Sequence, residues 1–402
     1  MSETVIIIGA GQAGGQCALA LRQNGFEGPV ILIGNEPYVP YERPPLSKSY
    51  LAGEASEERM FMRPEAFYAE KNITLMRGIT VTRIDRESRA VHLVDGAPLT
   101  YGKLVFATGG RVRKMTCPGA DLAGVNYLRT IDDVRGFKDR LVSGLKLVIV
   151  GGGYIGLEVA AVAIKRGCKV TVLEMMPLVL NRVVAPEMSA FYSEVHRAAG
   201  VDLRTSTAVT AFEGNTKLER VRCGDEIIDT DLAVVGIGIV PNVEIAADAG
   251  LDCDNGIIVD ECTRTADSDI FAAGDCTNHI NPVVGGRLRL ESVPNALAQG
   301  KAAALAILGK PEPVTDVPWF WSDQYDLKLQ MTGLARPGDT IVIRGSMTDR
   351  KFSACYLREG VFVACQAVNM AKDFLQSKKL IAERARPNPS RLADPAVALR
   401  DL

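Results

Sequence analysis

The sequence predicts an α/β protein: two Rossmann-like, parallel-sheet nucleotide-binding modules followed by a small α+β tail. Three observations carry this expectation. A glycine-rich strand–turn–helix unit occurs twice, each copy leads into a second strand with an acidic residue at or just past its end, and the segment after Pro318 alternates in short strands before one helix.

The second copy is the clearer. Leu147–Val150 reads as a buried strand, Gly151, Gly153 and Gly156 hold the G-x-G-x-x-G spacing, and 154–166 has helical character. Strand Lys169–Leu173 then runs into Glu174, 18 residues past the last motif glycine. The first glycine permits the tight turn, the next lets backbone approach a pyrophosphate, and the third lets helix lie close to strand. A helix N-terminus offers free N–H groups and a favourable dipole to the phosphates. Glu174 is placed to accept from a ribose 2′-OH and to repel a 2′-phosphate. No arginine follows until Arg182, so this module reads as a site for NADH rather than NADPH. The first copy runs from Thr4 through Gly9, Gly11 and Gly14, a helix to about Asn24, a strand near 30–34 and Glu36. Two complete units make a chance match of glycines improbable.

At 402 residues the chain exceeds one ordinary core, so two or three domains are expected. Hydrophobic residues make up 47% and mean hydropathy is near zero, as in soluble globular proteins. No apolar run approaches a membrane span, and Glu3 followed by a strand near Val5 does not resemble a signal peptide. Nine singly scattered cysteines are the usage of a reducing, cytoplasmic compartment. A net charge of −2 argues against nucleic-acid binding. It is uneven: Trp319–Leu402 carries thirteen basic against nine acidic residues, a net +4, which leaves −6 for the remainder. A mildly basic tail suits an acidic protein partner, although a solvated face explains it equally well.

Between the two copies, prolines from Pro37 to Pro45 exclude helix or central strand, giving an ordered loop with Arg43 and Lys48 as its cations. Ser47 is a candidate cap for the helix that follows. Arg63-Pro64 opens a helix to about Lys71, and 73–85, 90–93 and 99–107 alternate like antiparallel strands. Ala107-Thr108-Gly109 is a strand-end turn where backbone could touch a cofactor. A helix is expected over 130–141. After Glu174 come a helix over 186–199, several short strands over 201–235, a second strand-end turn over Gly236–Asn242, a short strand before Asp275, and an alanine-rich helix to Gly309. Pro311–Pro318 is a linker. Tail strands are expected near 341–344, 352–357 and 361–367, then a helix over 371–382.

Together these residues resemble the two-dinucleotide-fold flavoprotein disulfide reductases, and within them the FAD-dependent, NADH-specific ferredoxin reductases of the putidaredoxin-reductase-like family. The motifs are Arg43-Pro-Pro-Leu-Ser-Lys48, Ala107-Thr-Gly109, Gly151–Glu158, Val172-Leu-Glu174, Gly236–Asn242, Asp269–Asp275, Glu291–Gln299 and Trp319–Gln324, spread over essentially the whole chain. The resemblance implies a discontinuous FAD domain (1–110 and 236–317), an inserted NADH domain (111–235) and a C-terminal domain (318–402) at the flavin edge and partner interface. It implies that Gly9, Gly11, Gly14, Glu36, Arg43, Lys48, Ala107, Thr108, Gly109, Asp275, Val293 and Trp321 hold FAD. Gly151, Gly153, Tyr154, Ile155, Gly156, Glu158, Glu174 and Gly238 are implied to hold NADH, with Lys48 and Glu158 paired as catalytic residues beside the nicotinamide. A fixed ammonium suits a flavin that becomes anionic on reduction. Read without the resemblance, Glu158 is an exposed first-turn glutamate favouring the helix dipole.

What is missing narrows the chemistry. The loop Tyr41–Lys48 has no cysteine, and no histidine follows His279, so neither a dithiol relay with its C-terminal base nor a single redox cysteine in that loop is available. Cys17, Cys355 and Cys365 read as packing. No metal-ligand spacing occurs, and His92, His196 and His279 stand apart. Electrons arriving as hydride must then leave without a thiol. The expected activity is NADH-to-ferredoxin electron transfer for a cytochrome-type monooxygenase or a Rieske dioxygenase, by a cytoplasmic monomer. The expected partner is an acidic 2Fe–2S ferredoxin, with Arg289, Lys301, Lys328 and Arg400 as docking candidates. The rivals are a reductase of rubredoxin or a small acceptor, and an NADH-sensing interaction protein like apoptosis-inducing factor.

Overall fold

The computed structural model describes residues 3–402. Contacts divide them into two compact units, the first made of 3–42, 58–111 and 240–320, the second of 43–57, 112–239 and 321–402.

The first unit centres on a five-stranded parallel sheet in the order Ile270–Ala272, Lys103–Phe106, Val5–Ile8, Val30–Gly34, Ile73–Arg77. Strands buried on both faces read as continuous apolar runs, as Val-Ile-Ile-Ile does here. Two of them correct the sequence reading: 73–77 and 103–106 run parallel in this sheet. Only Val81–Asp85, Ala90–Leu93 and Leu99–Thr100 form the expected antiparallel ribbon. Helices Gln12–Gln23 and Val293–Ile307 cover one face, and they approach so closely that a Cβ on Gly300 would lie 2.4 Å from the Ala13 carbonyl oxygen. Cys17 is fully buried among these alanines, a packing residue as expected.

The second unit repeats the design, with parallel order Asp202–Arg204, Lys169–Leu173, Lys146–Val150, Leu232–Val235, Val125–Tyr127. The helix expected over 130–141 stops at Arg135 and resumes as one 3₁₀ turn. Beside a small antiparallel ribbon (Ala211–Glu213, Arg220–Cys223, Glu226–Asp229), this unit holds a five-stranded antiparallel sheet in the order Trp319–Gln324, Leu327–Gly333, Val361–Val368, Lys351–Arg358, Thr340–Ser346, closed by helix Ala371–Ala382. Cys355 and Cys365 face each other in its core as free thiols. The first strand of this sheet escaped the sequence reading because its inward positions are polar. Ser322 and Gln324 are buried while the aromatic Trp319, Phe320 and Trp321 are only half-buried.

The units cut the chain differently from the three expected segments. Arg43–Glu57 belongs with the second unit because its side chains and carbonyls are tied there. Arg43 Nη1 donates to the Arg129 carbonyl (2.6 Å), Arg166 Nη1 to the Leu51 carbonyl (2.9 Å), and Arg135 pairs with Glu57 (2.5 Å). The tail sheet joins the same unit through Phe191 and Phe352, whose rings meet edge-on at 4.9 Å. No helix among the described residues is long and apolar enough to cross a membrane.

Candidate active site

In the first unit the strand Val5–Ile8 ends at Gly9, whose φ of +110° is open to glycine alone. A Cβ there would sit 2.0 Å from the Ala107 carbonyl oxygen, so the bare glycine is what lets the Ala107-Thr108-Gly109 turn abut the loop. A Cβ on Gly14 would meet the Gly9 oxygen at 1.9 Å, which fixes how near the helix comes to the strand. At Gly11, by contrast, a Cβ meets nothing within 4 Å. Helix Gln12–Gln23 starts behind it with no side-chain cap and no acid in its first turn. Unsatisfied N–H groups facing open space make an anion cradle, and the residues fit a dinucleotide pyrophosphate. Glu36 accepts from Tyr41 Oη at 2.6 Å. Thr108 and Asn242 bond reciprocally, Oγ1 to the Asn242 carbonyl at 2.6 Å and Nδ2 to the Thr108 carbonyl at 2.9 Å, locking two strand-end turns together. Gln299, the last residue of the Glu291–Gln299 motif but given no site role there, accepts the Gly274 N–H (2.7 Å) and the Thr277 hydroxyl (2.9 Å), so it fixes the turn bearing half-buried Asp275. Val293 opens the same helix.

The second unit reproduces this loop closely. A Cβ on Gly151 would lie 2.5 Å from the Gly236 oxygen, one on Gly156 2.1 Å from the Gly151 oxygen, and one on Gly153 meets nothing within 4 Å. Helix Tyr154–Lys165 also begins uncapped and without an acid. Glu174 is held by backbone: Gly152 N–H donates to one carboxylate oxygen (2.7 Å) and Met176 N–H to the other (2.8 Å). Ile155 is exposed at the loop, whereas Tyr154 points inward and donates to Met331 Sδ at 2.9 Å. Burial pushes the Tyr154 phenol well up, so it stays neutral. Gly238 has φ +97°, and a Cβ there would come 3.8 Å from Arg182 Nη2. The arginine is therefore closer to this loop than its place in the sequence suggests.

Lys48 and Glu158, 110 residues apart, form an ion pair at 2.7 Å in the second unit. Glu158 is 1% exposed and sits inside the helix, past its first turn, so the exposed dipole-favouring reading does not hold. Lys48 is 19% exposed. Ser47 does not cap the following helix. Its hydroxyl donates to Glu158 Oε2 at 2.5 Å, and Ser322 donates to Oε1 at 2.6 Å. Three donors satisfy a carboxylate that would otherwise be costly to bury. Ser322 was missed because a serine between tryptophan and aspartate carries no signal of its partner 164 residues away. Among the described residues no metal-binding cluster exists, and all nine cysteines are free thiols.

Of the docking candidates, Arg289 is engaged by Glu291 (2.5 Å) and Asn255, and Arg400 lies 3.7 Å from Asp401. Lys301 and Lys328 are exposed.

Comparison with known proteins agrees with this geometry. Residues 3–300 match the family model described as pyridine nucleotide-disulphide oxidoreductase, and 319–402 match reductase C-terminal. The chain is 43% identical to putidaredoxin reductase of Pseudomonas putida, over 100% of this chain and 97% of the relative. It is 43% identical to the ferredoxin–NAD(+) reductase component of the anthranilate 1,2-dioxygenase system of Burkholderia cepacia, covering 99% of each. The crystal structure of the covalent putidaredoxin reductase–putidaredoxin complex superposes with a TM-score of 0.97 at 43% identity, covering 100% of this chain and 98% of that one. With a paired glycine-loop architecture in place and the family's sequence model spanning both units, the chain belongs to the pyridine nucleotide-disulphide oxidoreductase family.

Proposed function

We propose that the protein is an FAD-dependent reductase that takes hydride from NADH and passes electrons singly to an acidic 2Fe–2S ferredoxin serving a monooxygenase or dioxygenase, as a cytoplasmic monomer. The observation that carries this reading is the pairing of buried Glu158 with Lys48, which ends a loop that has no cysteine: charge, not a thiol, stands where a relay would. Gly9, Gly11 and Gly14 hold the FAD pyrophosphate, Glu36 its ribose, and Arg43, Lys48, the 107–109 turn, Asp275, Val293 and Trp321 the remainder. FAD supplies an acceptor that takes two electrons together and releases them one at a time. Gly151, Gly153 and Gly156 hold NADH with Tyr154, Ile155 and Gly238, while Lys48 offsets the negative charge that arrives with hydride.

Glu174 accepts the ribose 2′-OH and disfavours a 2′-phosphate. Its Glu174→Ala variant is expected to raise the NADH KM about tenfold and to narrow the preference over NADPH, since a good hydrogen bond to a charged group is lost. Steady-state kinetics with both nucleotides checks this, and unchanged values remove the role.

Stopped-flow absorbance tests the whole reading. Rapid bleaching of the flavin by NADH, followed by rapid delivery to a 2Fe–2S ferredoxin, is expected. Delivery to rubredoxin alone would move the protein toward the rubredoxin–NAD(+) reductases, to which it is 36% identical. Slow reduction with a persistent charge-transfer band would make it a sensor. Charge reversal at exposed Lys301, with Lys328 as its companion, is expected to weaken ferredoxin turnover severalfold at low salt and spare ferricyanide reduction. Equal loss with both acceptors would exclude a docking role.

A further inference from the structure

The polar contacts of Glu158 continue past its immediate partners. Ser322 donates its one proton to Glu158 Oε1, so toward Gln324 it can only accept, from Nε2 at 3.1 Å. Gln324 therefore turns Oε1 to His196 Nε2 (2.9 Å), which must carry the ring proton. His196 Nδ1 is left as an acceptor for Tyr325 Oη, also at 2.9 Å. The opposite amide orientation would set acceptor against acceptor at Ser322. With a neutral imidazole one assignment of protons satisfies the chain, and in it every link donates toward the carboxylate.

The burial gradient follows the same line. Glu158, Ser322, Gln324 and His196 are all buried, while Tyr325 is 37% exposed. Tyr325 occupies the tight turn between the first two tail strands with φ +56°, an unfavourable conformation for a bulky residue, and its ring meets the imidazole at 5.0 Å. Around Glu158 the charged or titratable groups are Lys48, Tyr154, Tyr192 and, farther out, Asp323 through Tyr192. Lys48 is the cation among them. Burial lowers the His196 pKa, which agrees with a neutral ring.

We infer that Tyr325, His196, Gln324 and Ser322 form a one-way donor chain, running from the surface to Glu158, that positions its carboxylate as the partner of Lys48 during hydride transfer. These are positioning residues, and the inference rests on the reductase reading above.

Two experiments on the holoprotein test it. ¹⁵N-histidine NMR at neutral pH is expected to show His196 as the neutral Nε2–H tautomer. A doubly protonated ring, or the Nδ1–H tautomer, overturns the chain's direction without reference to activity. In single-turnover reduction, Ser322→Ala and His196→Leu are each expected to lower the limiting rate about tenfold, with NADH dissociation unchanged. His196→Gln, which can donate and accept in the same places, is expected to restore most of the rate. In a Glu158→Gln background neither change is expected to have further effect, because the group they act on is gone. Equal losses in both backgrounds, or losses in NADH affinity alone, overturn the inference while leaving the reductase reading intact. A wild-type flavin that NADH does not bleach overturns both.

Discussion

Replacing Lys48 with alanine is expected to slow flavin reduction by NADH about a hundredfold or more, with a much smaller change in NADH affinity. The size follows from what one preorganised donor contributes where charge develops in a water-poor site. The substitution also strands Glu158, which keeps two serine hydroxyls but loses its cation at 2.7 Å. A buried carboxylate left without its counter-charge is a second, independent cost. Single-turnover absorbance separates the limiting rate from the concentration dependence. Weakened NADH affinity with an unchanged limiting rate would mean that Lys48 only binds nucleotide. A rate within twofold of wild type would remove it from the chemistry.

Arg344→Leu is expected to cost about 3–5 kcal/mol of stability, the usual penalty for removing one member of a buried, hydrogen-bonded ion pair. Arg344 and Asp373 are nearly inaccessible, joined at 2.8 Å, and Ser353 donates to the same carboxylate at 3.0 Å. The guanidinium does more than neutralise. It donates to the carbonyls of Leu392 (3.4 Å), Asp394, Pro395 (3.3 Å) and Val397 (2.7 Å), clamping the segment 392–397 onto the tail sheet. Arg344→Lys is expected to recover only part of the loss, because an ammonium cannot reproduce the planar fork. Urea unfolding gives the stability. Limited proteolysis near 388–398 is expected to accelerate in step, and resistance equal to wild type would show that the carbonyl clamp contributes little.

The parts of this molecule legible in the sequence are those whose physics is local. A glycine loop after an apolar run needs only neighbouring residues to specify it, so both cradles, Cys17 in the helix face and the Cys355 and Cys365 core positions could be read directly. Strand direction was less legible, because an alternating run such as 73–77 does not state which neighbour it will join. The donor chain was illegible for a different reason. Ser322, Gln324 and His196 are polar residues turned inward, and what justifies burying them is distant in sequence: Ser322 meets a carboxylate 164 positions away, and Gln324 meets His196 across 128 positions. Hydrophobic patterning assumes the reverse, so it passed over the strand carrying two of them. His196 likewise looked solitary until its partner strand was in place.

The order of strands in the first sheet has a consequence for synthesis on the ribosome. Lys103–Phe106 is flanked on one side by Val5–Ile8, but its other neighbour, Ile270–Ala272, is more than 160 residues further along. At ordinary translation speeds of 5–20 residues per second, that edge stays unpaired for about 10–30 s while the whole second nucleotide module emerges. An open edge beside an apolar strand invites pairing with other nascent chains. The intervening module has all its parallel strands within its own segment, so its sheet can close before the missing edge strand of the first sheet has been made.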